Sequence, residues 1–174
     1  MKKIRTLALV TLALLSITGV NAQSRHSADY SYYGEIGYSP VDVSGTGGNA
    51  TPHAARLVFG NELNKNLGIE AMYATTVTKD SRQGYDASYS GFGVFLKPKM
   101  ALTDSTEVFA RVGILRADIT ASSNGSHTGS DFAYGLGVQT NITQSVYGQL
   151  DYMHSYDRDS VAAKGYTLSL GMRF

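Results

Sequence analysis

The chain of 174 residues contains no cysteine, no tryptophan and only three prolines. Without cysteine it cannot form a disulfide scaffold, a thiolate zinc site, a cysteine nucleophile or a lipid-modified N-terminal cysteine. It also lacks a charge excess, since it has 15 basic and 14 acidic residues, so a nucleic acid is not an expected partner. A hydrophobic content of 43% argues against disorder and favours one folded domain.

The chain has a single long apolar run, which lies at its N-terminus. Three basic residues within the first five precede an apolar stretch from Leu7 to about Val20, shorter than the ~20 residues of a membrane-spanning helix. Small or aliphatic residues lead up to Ala22, as signal peptidase requires. We therefore predict a secretory signal peptide over 1–22, cleaved at about Ala22, and one mature domain over 23–174. An uncleaved membrane anchor is the alternative.

After the signal, apolar residues alternate with period two between turn-like clusters, which indicates β-strands rather than helices. We predict eight strands, each near the ~9 to 11 residues of a tilted membrane strand. They cover about 30–39, 53–63, 67–77, 88–100, 106–117, 131–142, 145–156 and 164–174.

The predicted connections alternate in length. Short turns at 64–66, 103–105 and 143–144 alternate with longer segments at 40–52, 78–87, 119–130 and 157–163, which are rich in Gly, Ser, Thr and Asp. Outer-membrane barrels have short periplasmic turns and longer external loops, with both termini on the periplasmic side. Pro98 fits inside the fourth strand only if it lies at a bulge or near the rim.

Each predicted strand has an apolar face and a small or polar face. In the last strand Tyr166, Leu168, Leu170, Met172 and Phe174 alternate with Thr167, Ser169, Gly171 and Arg173. A soluble barrel would turn the apolar face inward and a membrane barrel would turn it outward. The many small residues on the polar faces suit the narrow lumen of eight strands. We predict an all-β fold, an eight-stranded antiparallel up-and-down transmembrane β-barrel; a secreted lipocalin-like barrel is the soluble alternative.

Charged residues recur on the faces that would line the lumen. Three acids and three bases follow the inward alternation: Glu35, Arg56, Glu70, Lys97, Arg111 and Asp151. Mutual pairing would offset the cost of removing these charges from water. We predict an interior charge network that fills the lumen; the functional alternative is a gated ion path.

Several segments are similar to a known family. The segments 67–70 (LGIE), 102–104 (LTD), 109–113 (FARVG), 134–139 (YGLGVQ) and 171–174 (GMRF) resemble the transmembrane barrel of the outer membrane protein A family. A chain that ends on an aromatic residue directly after eight strands looks more like the small barrels of the outer membrane protein X and Ail group. The resemblance implies an integral protein of the Gram-negative outer membrane, with roles in envelope integrity and in surface contact such as adhesion or resistance to host factors.

The resemblance also bears on the lumen. In the outer membrane protein A family an interior acid and interior bases form a salt-bridge gate, and Glu70, Lys97 and Arg111 stand at the corresponding positions. Gln139 and Gln149 stand where that family has an acid and an arginine, so a second gating pair is absent.

The last strand resembles the terminal signal read by the barrel-assembly machinery, because Phe174 follows Met172, Leu170, Leu168 and Tyr166 at strict spacing two. Expected partners are therefore this machinery and periplasmic chaperones during biogenesis, outer-membrane lipid and lipopolysaccharide afterwards, and a surface ligand of the loops. No nucleic acid is expected.

Aromatic residues lie near many predicted strand ends, where their amphipathic rings suit the headgroup boundary. A carbohydrate-binding surface is the alternative. The expected girdle residues are Tyr30, Tyr32, Tyr38, Tyr73, Tyr89, Phe92, Tyr152, Tyr156 and Tyr166.

His154 and Ser155 raise the possibility of a lipid A-modifying enzyme, which would need a serine beside a histidine. Adjacent strand residues point to opposite faces, so these two cannot pair without a bulge. The lipid A deacylase pattern sets its histidine and serine two apart, where this chain has Tyr156. The remaining histidines are isolated, and 157–159 lacks the rest of a calcium loop. We predict a protein that is not an enzyme and has no metal or cofactor.

Overall fold

The computed structural model describes residues 31–45, 48–82, 85–121, 125–158 and 161–174. The predicted signal peptide and Tyr30 lie outside the described residues. No helix in these ranges is long and apolar enough to cross a membrane. The strands are β1 (Tyr32–Gly45), β2 (Gly48–Ala50), β3 (His53–Asn64), β4 (Leu67–Thr78), β5 (Asp80–Arg82), β6 (Tyr85–Ala101), β7 (Thr106–Ala121), β8 (Gly125–Asn141), β9 (Val146–Arg158) and β10 (Val161–Arg173).

The eight long strands pair antiparallel in chain order, and β10 pairs with β1, so the sheet closes into a barrel. The short strands β2 and β5 extend the ladder beside β1 and β6. The predicted all-β, eight-stranded barrel is confirmed. Pro98 lies opposite Leu67, the first residue of β4, and three residues before β6 ends at Ala101. It is therefore close to the rim, where a missing amide donor costs least.

The strands are longer than expected at the end opposite the short turns. β1 continues to Gly45, β6 begins at Tyr85, and β7 and β8 meet near Ala121 and Gly125. The segments 40–52, 78–87, 119–130 and 157–163 were expected to be loops, and that expectation is wrong for much of their length. These polar stretches form strands because pairing with a neighbour satisfies their backbone groups without apolar alternation.

The exterior of the barrel is an apolar band. Leu136 is 70% exposed and Leu168 is 67% exposed, fractions that a soluble protein seldom tolerates over a continuous surface. The apolar faces therefore point outward, toward lipid, and the alternate faces line the lumen.

The interior has two layers. In the half next to the short turns it is charged. In the outer half it is an apolar core that includes Val41, Leu115, Ile119, Met153 and Val161. The sequence suggested a polar lumen throughout, and this layer corrects that expectation. The outer half of the barrel is packed like a soluble protein.

Two of the expected girdle tyrosines belong to that core. Tyr89 is 4% exposed and Tyr156 is 1% exposed. Tyr89 shares the inward face of β6 with Phe95, and a bulge reverses the face of Tyr156. The bulge arises because Ala163 pairs with Tyr156 while the next residue of β10 pairs with His154, which leaves one extra residue in β9. The expectation that both rings lie at the rim is wrong.

Candidate functional site

The six predicted interior charges come from six different strands and meet in one buried cluster. Each is at most 4% exposed. Their positions are Glu35 in β1, Arg56 in β3, Glu70 in β4, Lys97 in β6, Arg111 in β7 and Asp151 in β9.

Arg111 is at the centre of this cluster and contacts all three acids. Its Nε donates to Glu70 Oε2 at 2.5 Å, its Nη1 to Asp151 Oδ1 at 3.0 Å, and its Nη2 to Glu35 Oε2 at 2.7 Å. A guanidinium offers its donors in a fixed planar fork, which suits simultaneous bonding to several carboxylates. Arg111 therefore links the three acids into one network.

The other two bases complete the pairing. Arg56 forms a two-pronged ion pair with Asp151 and donates to Ser169 Oγ at 3.2 Å. Lys97 Nζ lies 3.0 Å from Glu35 Oε1 and 3.1 Å from Glu70 Oε1. Because three bases face three acids in contact, the cluster carries no net formal charge.

Three further polar side chains join the network. Tyr33 donates its hydroxyl hydrogen to Glu70, and Tyr147 donates to Glu35, each at 2.8 Å. Gln149 donates to Glu35 at 3.2 Å and to Asp151 at 3.1 Å, and its carbonyl accepts from Lys97. The alternation that identified Glu35 and Asp151 also points these residues inward, so the signal for them was present in the sequence.

Aromatic rings and glycines fill the rest of the charged layer as cross-strand pairs. A methyl group added to any of these glycines would overlap the ring opposite. Glycine therefore makes room for the rings that surround the charges, including Lys97, whose Nζ lies 4.7 Å from the Phe109 ring centre. The pairs are Tyr33 with Gly60, Phe95 with Gly113, Phe109 with Gly137 and Tyr147 with Gly171.

A second group of charges lies nearer the short turns. Lys99 Nζ lies 2.6 Å from Glu62 Oε1 and 3.9 Å from Glu107 Oε2. Gln139 donates to Glu107 at 2.8 Å. Where the outer membrane protein A family has an acid, this chain therefore has an amide, Gln139, that binds the acid Glu107.

The packed layers leave little free volume between them. A cavity of about 20 Å³ separates Arg56 from the apolar core and is large enough for one water molecule. Ion flow would require separating several buried ion pairs and also the apolar side chains above them. Side chains therefore fill the lumen of the described barrel.

The comparisons with known proteins agree with this architecture. The model of the outer membrane protein beta-barrel domain matches residues 10–174. The chain belongs to this family. A search of curated proteins finds no match.

Solved structures show the same fold. Ail of Yersinia pestis, solved with the heparin analogue sucrose octasulfate, is 22% identical at a TM-score of 0.63, covering 83% of this chain and 98% of that chain. Neisserial surface protein A is 16% identical at a TM-score of 0.65, covering 82% of this chain and 97% of that chain. OprG of Pseudomonas aeruginosa is 10% identical at a TM-score of 0.57, covering 86% of this chain and 98% of that chain. The resemblance to small outer-membrane barrels is confirmed, and the family implies residence in the outer membrane.

The β9 strand of this outer-membrane barrel does have a bulge beside His154, but the side chains of His154 and Ser155 face different surroundings. The His154 ring stacks on Tyr134 with ring centres 5.2 Å apart, and its Nε2 lies 3.7 Å from Asp157 Oδ2. Ser155 lines the small interior cavity with Tyr89. In the described part of the chain no group of three or more His, Asp or Glu side chains could hold a metal ion.

The C-terminal residue of the barrel lies at the seam between its first and last strands. Phe174 exchanges two backbone hydrogen bonds with Tyr32, at 2.9 and 3.2 Å. Its ring lies 6.2 Å from that of Phe59. The four outward residues that precede it at spacing two, Tyr166, Leu168, Leu170 and Met172, are all exposed on the apolar band. Their role as an assembly signal stays a prediction.

Proposed function

We propose that this outer-membrane barrel is a non-enzymatic scaffold that supports the envelope and presents four hairpins for contact with other molecules, including adhesion and resistance to host factors. The observation that carries the proposal is the filled lumen. A charge network occupies one half of the described lumen and an apolar core the other, which supports a scaffold rather than a channel. The surface beyond the membrane is then where function resides.

The expected partners follow from this location. During biogenesis the barrel-assembly machinery and periplasmic chaperones would bind the unfolded chain and its last strand. In the finished barrel the apolar band would contact outer-membrane lipid and lipopolysaccharide. No cofactor, metal or nucleic acid forms part of the proposal.

The hairpins have no excess of basic residues. The segments 40–53, 78–91, 115–131 and 155–164 contain seven acids and five bases. A polysulfated ligand such as the one in the Ail structure would need the opposite balance. We therefore propose a ligand recognised by hydrogen bonds rather than by charge. The acids are Asp42, Asp80, Asp86, Asp118, Asp131, Asp157 and Asp159, and the bases are Lys79, Arg82, Arg116, Arg158 and Lys164.

The experiment displays the full chain on a Gram-negative host that does not adhere by itself. A matched variant replaces 118–128, the outer part of the β7–β8 hairpin, by Asn-Gly, which joins the paired residues Ala117 and Gly129. We expect the full chain to confer attachment to cultured epithelial cells or survival in serum, and the trimmed variant to lose it at equal outer-membrane abundance. Bacteria that display the full chain and gain neither attachment nor survival in serum would contradict the proposal.

The alternative of a gated pore is tested in planar bilayers. We expect no stepwise current from the purified barrel, because both layers of the lumen would have to open. Regular conductance steps that change in Arg111→Met would instead support a channel.

A further inference from the structure

Four buried side-chain atoms in the described part of the barrel have no hydrogen-bond partner. They are Arg56 Nε, Glu62 Oε2, Gln139 Oε1 and Arg173 Nη2. The last three belong to residues at most two positions from the end of their strands at the short-turn rim, where outside water is close. Arg56 instead lies between the charge network and the apolar core, so a partner for its Nε has to be inside the barrel.

The small cavity between the two layers lies against this arginine. It has a volume of about 20 Å³, and Arg56, Ala54 and Ala74 are among the residues that line it. Ala74 is the cross-strand partner of Arg56 in β4, and Ala54 is the next inward residue of β3. The Nη atoms of Arg56 already bind Asp151 and Ser169, so Nε is the donor left for this space.

Hydroxyl groups also line the cavity. They belong to Ser39, Tyr89, Ser155 and Thr167. Ser39 donates its own hydrogen to the carbonyl of Tyr166 at 3.0 Å, so its oxygen can still accept a hydrogen bond. One charged donor beside several hydroxyl groups suits water, which both accepts and donates and bonds to about two to four polar groups when it is buried.

Two other states of the cavity are less favourable. The network already pairs three acids with three bases, so a halide ion would add an unpaired charge to the interior. Without any ligand, the charged Arg56 side chain would keep an unsatisfied buried donor, which costs the full desolvation of that group. A neutral molecule that accepts one hydrogen bond avoids both costs.

We propose that this cavity is a binding site for one water molecule, which accepts a hydrogen bond from Arg56 Nε and donates to hydroxyl oxygens such as that of Ser39. The water links the charge network to the outer apolar core and completes the hydrogen bonding of Arg56. The site goes beyond the surface-contact function, because it lies inside the lumen and is independent of what the hairpins bind.

The test observes the Arg56 side chain by NMR, in the full-length folded barrel in lipid nanodiscs with isotope-labelled arginine. Arg56→Lys assigns the Nε–H signal, because lysine has no such group. We expect a rotating-frame Overhauser signal of direct contact between this hydrogen and water. Ala54→Val should abolish the signal by placing methyl groups in the cavity. Ala55→Val, which changes the neighbouring outward residue, should keep it.

The same variants measure what the water contributes to stability. Ala54→Val should lower the urea unfolding midpoint by about 1 M relative to Ala55→Val, because a charged group loses a hydrogen-bond partner. In the Arg56→Lys background the same change should lower the midpoint at least about twofold less, because no Nε is left unpaired. Crowding by the added methyl groups would instead act equally in both backgrounds.

Three results would overturn the proposal. The first is an unsubstituted barrel without the Overhauser signal, and the second is a midpoint that rises in Ala54→Val or falls equally in both backgrounds. The third is an Nε–H signal that moves when sulfate replaces chloride in the buffer, which would show that a halide occupies the site. Each of these results would leave the surface-contact function untouched, because none of them concerns attachment or survival in serum.

Discussion

Replacing Arg111 by methionine should destabilise the barrel more than any surface substitution. The change leaves Glu35, Glu70 and Asp151 buried against two bases, so the cluster gains one uncompensated negative charge. Removing one partner from a buried ionic group costs about 3–5 kcal/mol, a large part of a typical unfolding free energy of about 5–15 kcal/mol. With a slope of about 2 kcal/mol per molar urea, the unfolding midpoint in lipid vesicles should fall by about 2 M.

Arg116→Met is the matched control, because Arg116 lies on the same strand but is exposed and should change the unfolding free energy by no more than about 0.5 kcal/mol. Glu70→Gln restores charge balance in the Arg111→Met background. The double variant should therefore be less destabilised than the sum of the single variants by about 1–3 kcal/mol. Equal midpoints for Arg111→Met and Arg116→Met, or strictly additive effects, would refute the role of the network in holding the lumen together.

Three further outcomes are expected. Gly60→Ala should lower the unfolding free energy by about 1–3 kcal/mol, because its methyl would overlap the Tyr33 ring; an equal loss in Gly148→Ala, whose added methyl would lie 3.7 Å from the Ile142 side chain, an ordinary contact distance, would contradict that reason. Deleting Phe174 should slow assembly, measured by pulse-chase fractionation, more than it weakens the finished barrel, and unchanged outer-membrane levels would show that no signal was removed. His154→Ala should leave the lipid A mass spectrum unchanged, whereas a lost acyl-chain modification would reveal an enzyme.

Although the sequence analysis did not single out Glu62, Lys99 and Glu107, strand alternation predicted six charged residues on the lumen face, because side chains on a strand point to opposite sides. It could not predict which of them touch. Arg111 in β7 bonds to Glu35 in β1, four strands away around an eight-stranded ring, so their contact depends on the barrel's diameter and strand tilt. Those quantities belong to the closed sheet rather than to any local segment.

The bulge in β9 could not be predicted for a similar reason. The extra residue is defined by how β9 pairs with β10, and nothing in the local sequence around Ser155 requires it. Its effect is to turn Tyr156 into the apolar core. The lengths of the strands were underestimated at their outer ends because the Gly, Ser and Thr composition there is typical of loops. Pairing with neighbouring strands holds these residues in a strand conformation.

The need to satisfy backbone hydrogen-bonding groups explains both the closed barrel and the greater length of the β7–β8 hairpin. A closed barrel pairs every strand on both sides and so removes all edges within the membrane, where an unpaired amide is most costly. Beyond the membrane, water can satisfy the backbone and the strands are free to differ in length. β8 extends past its ladder with β9, and Asp131 satisfies the amides where the two strands part. The hairpin above it therefore projects at little cost to folding.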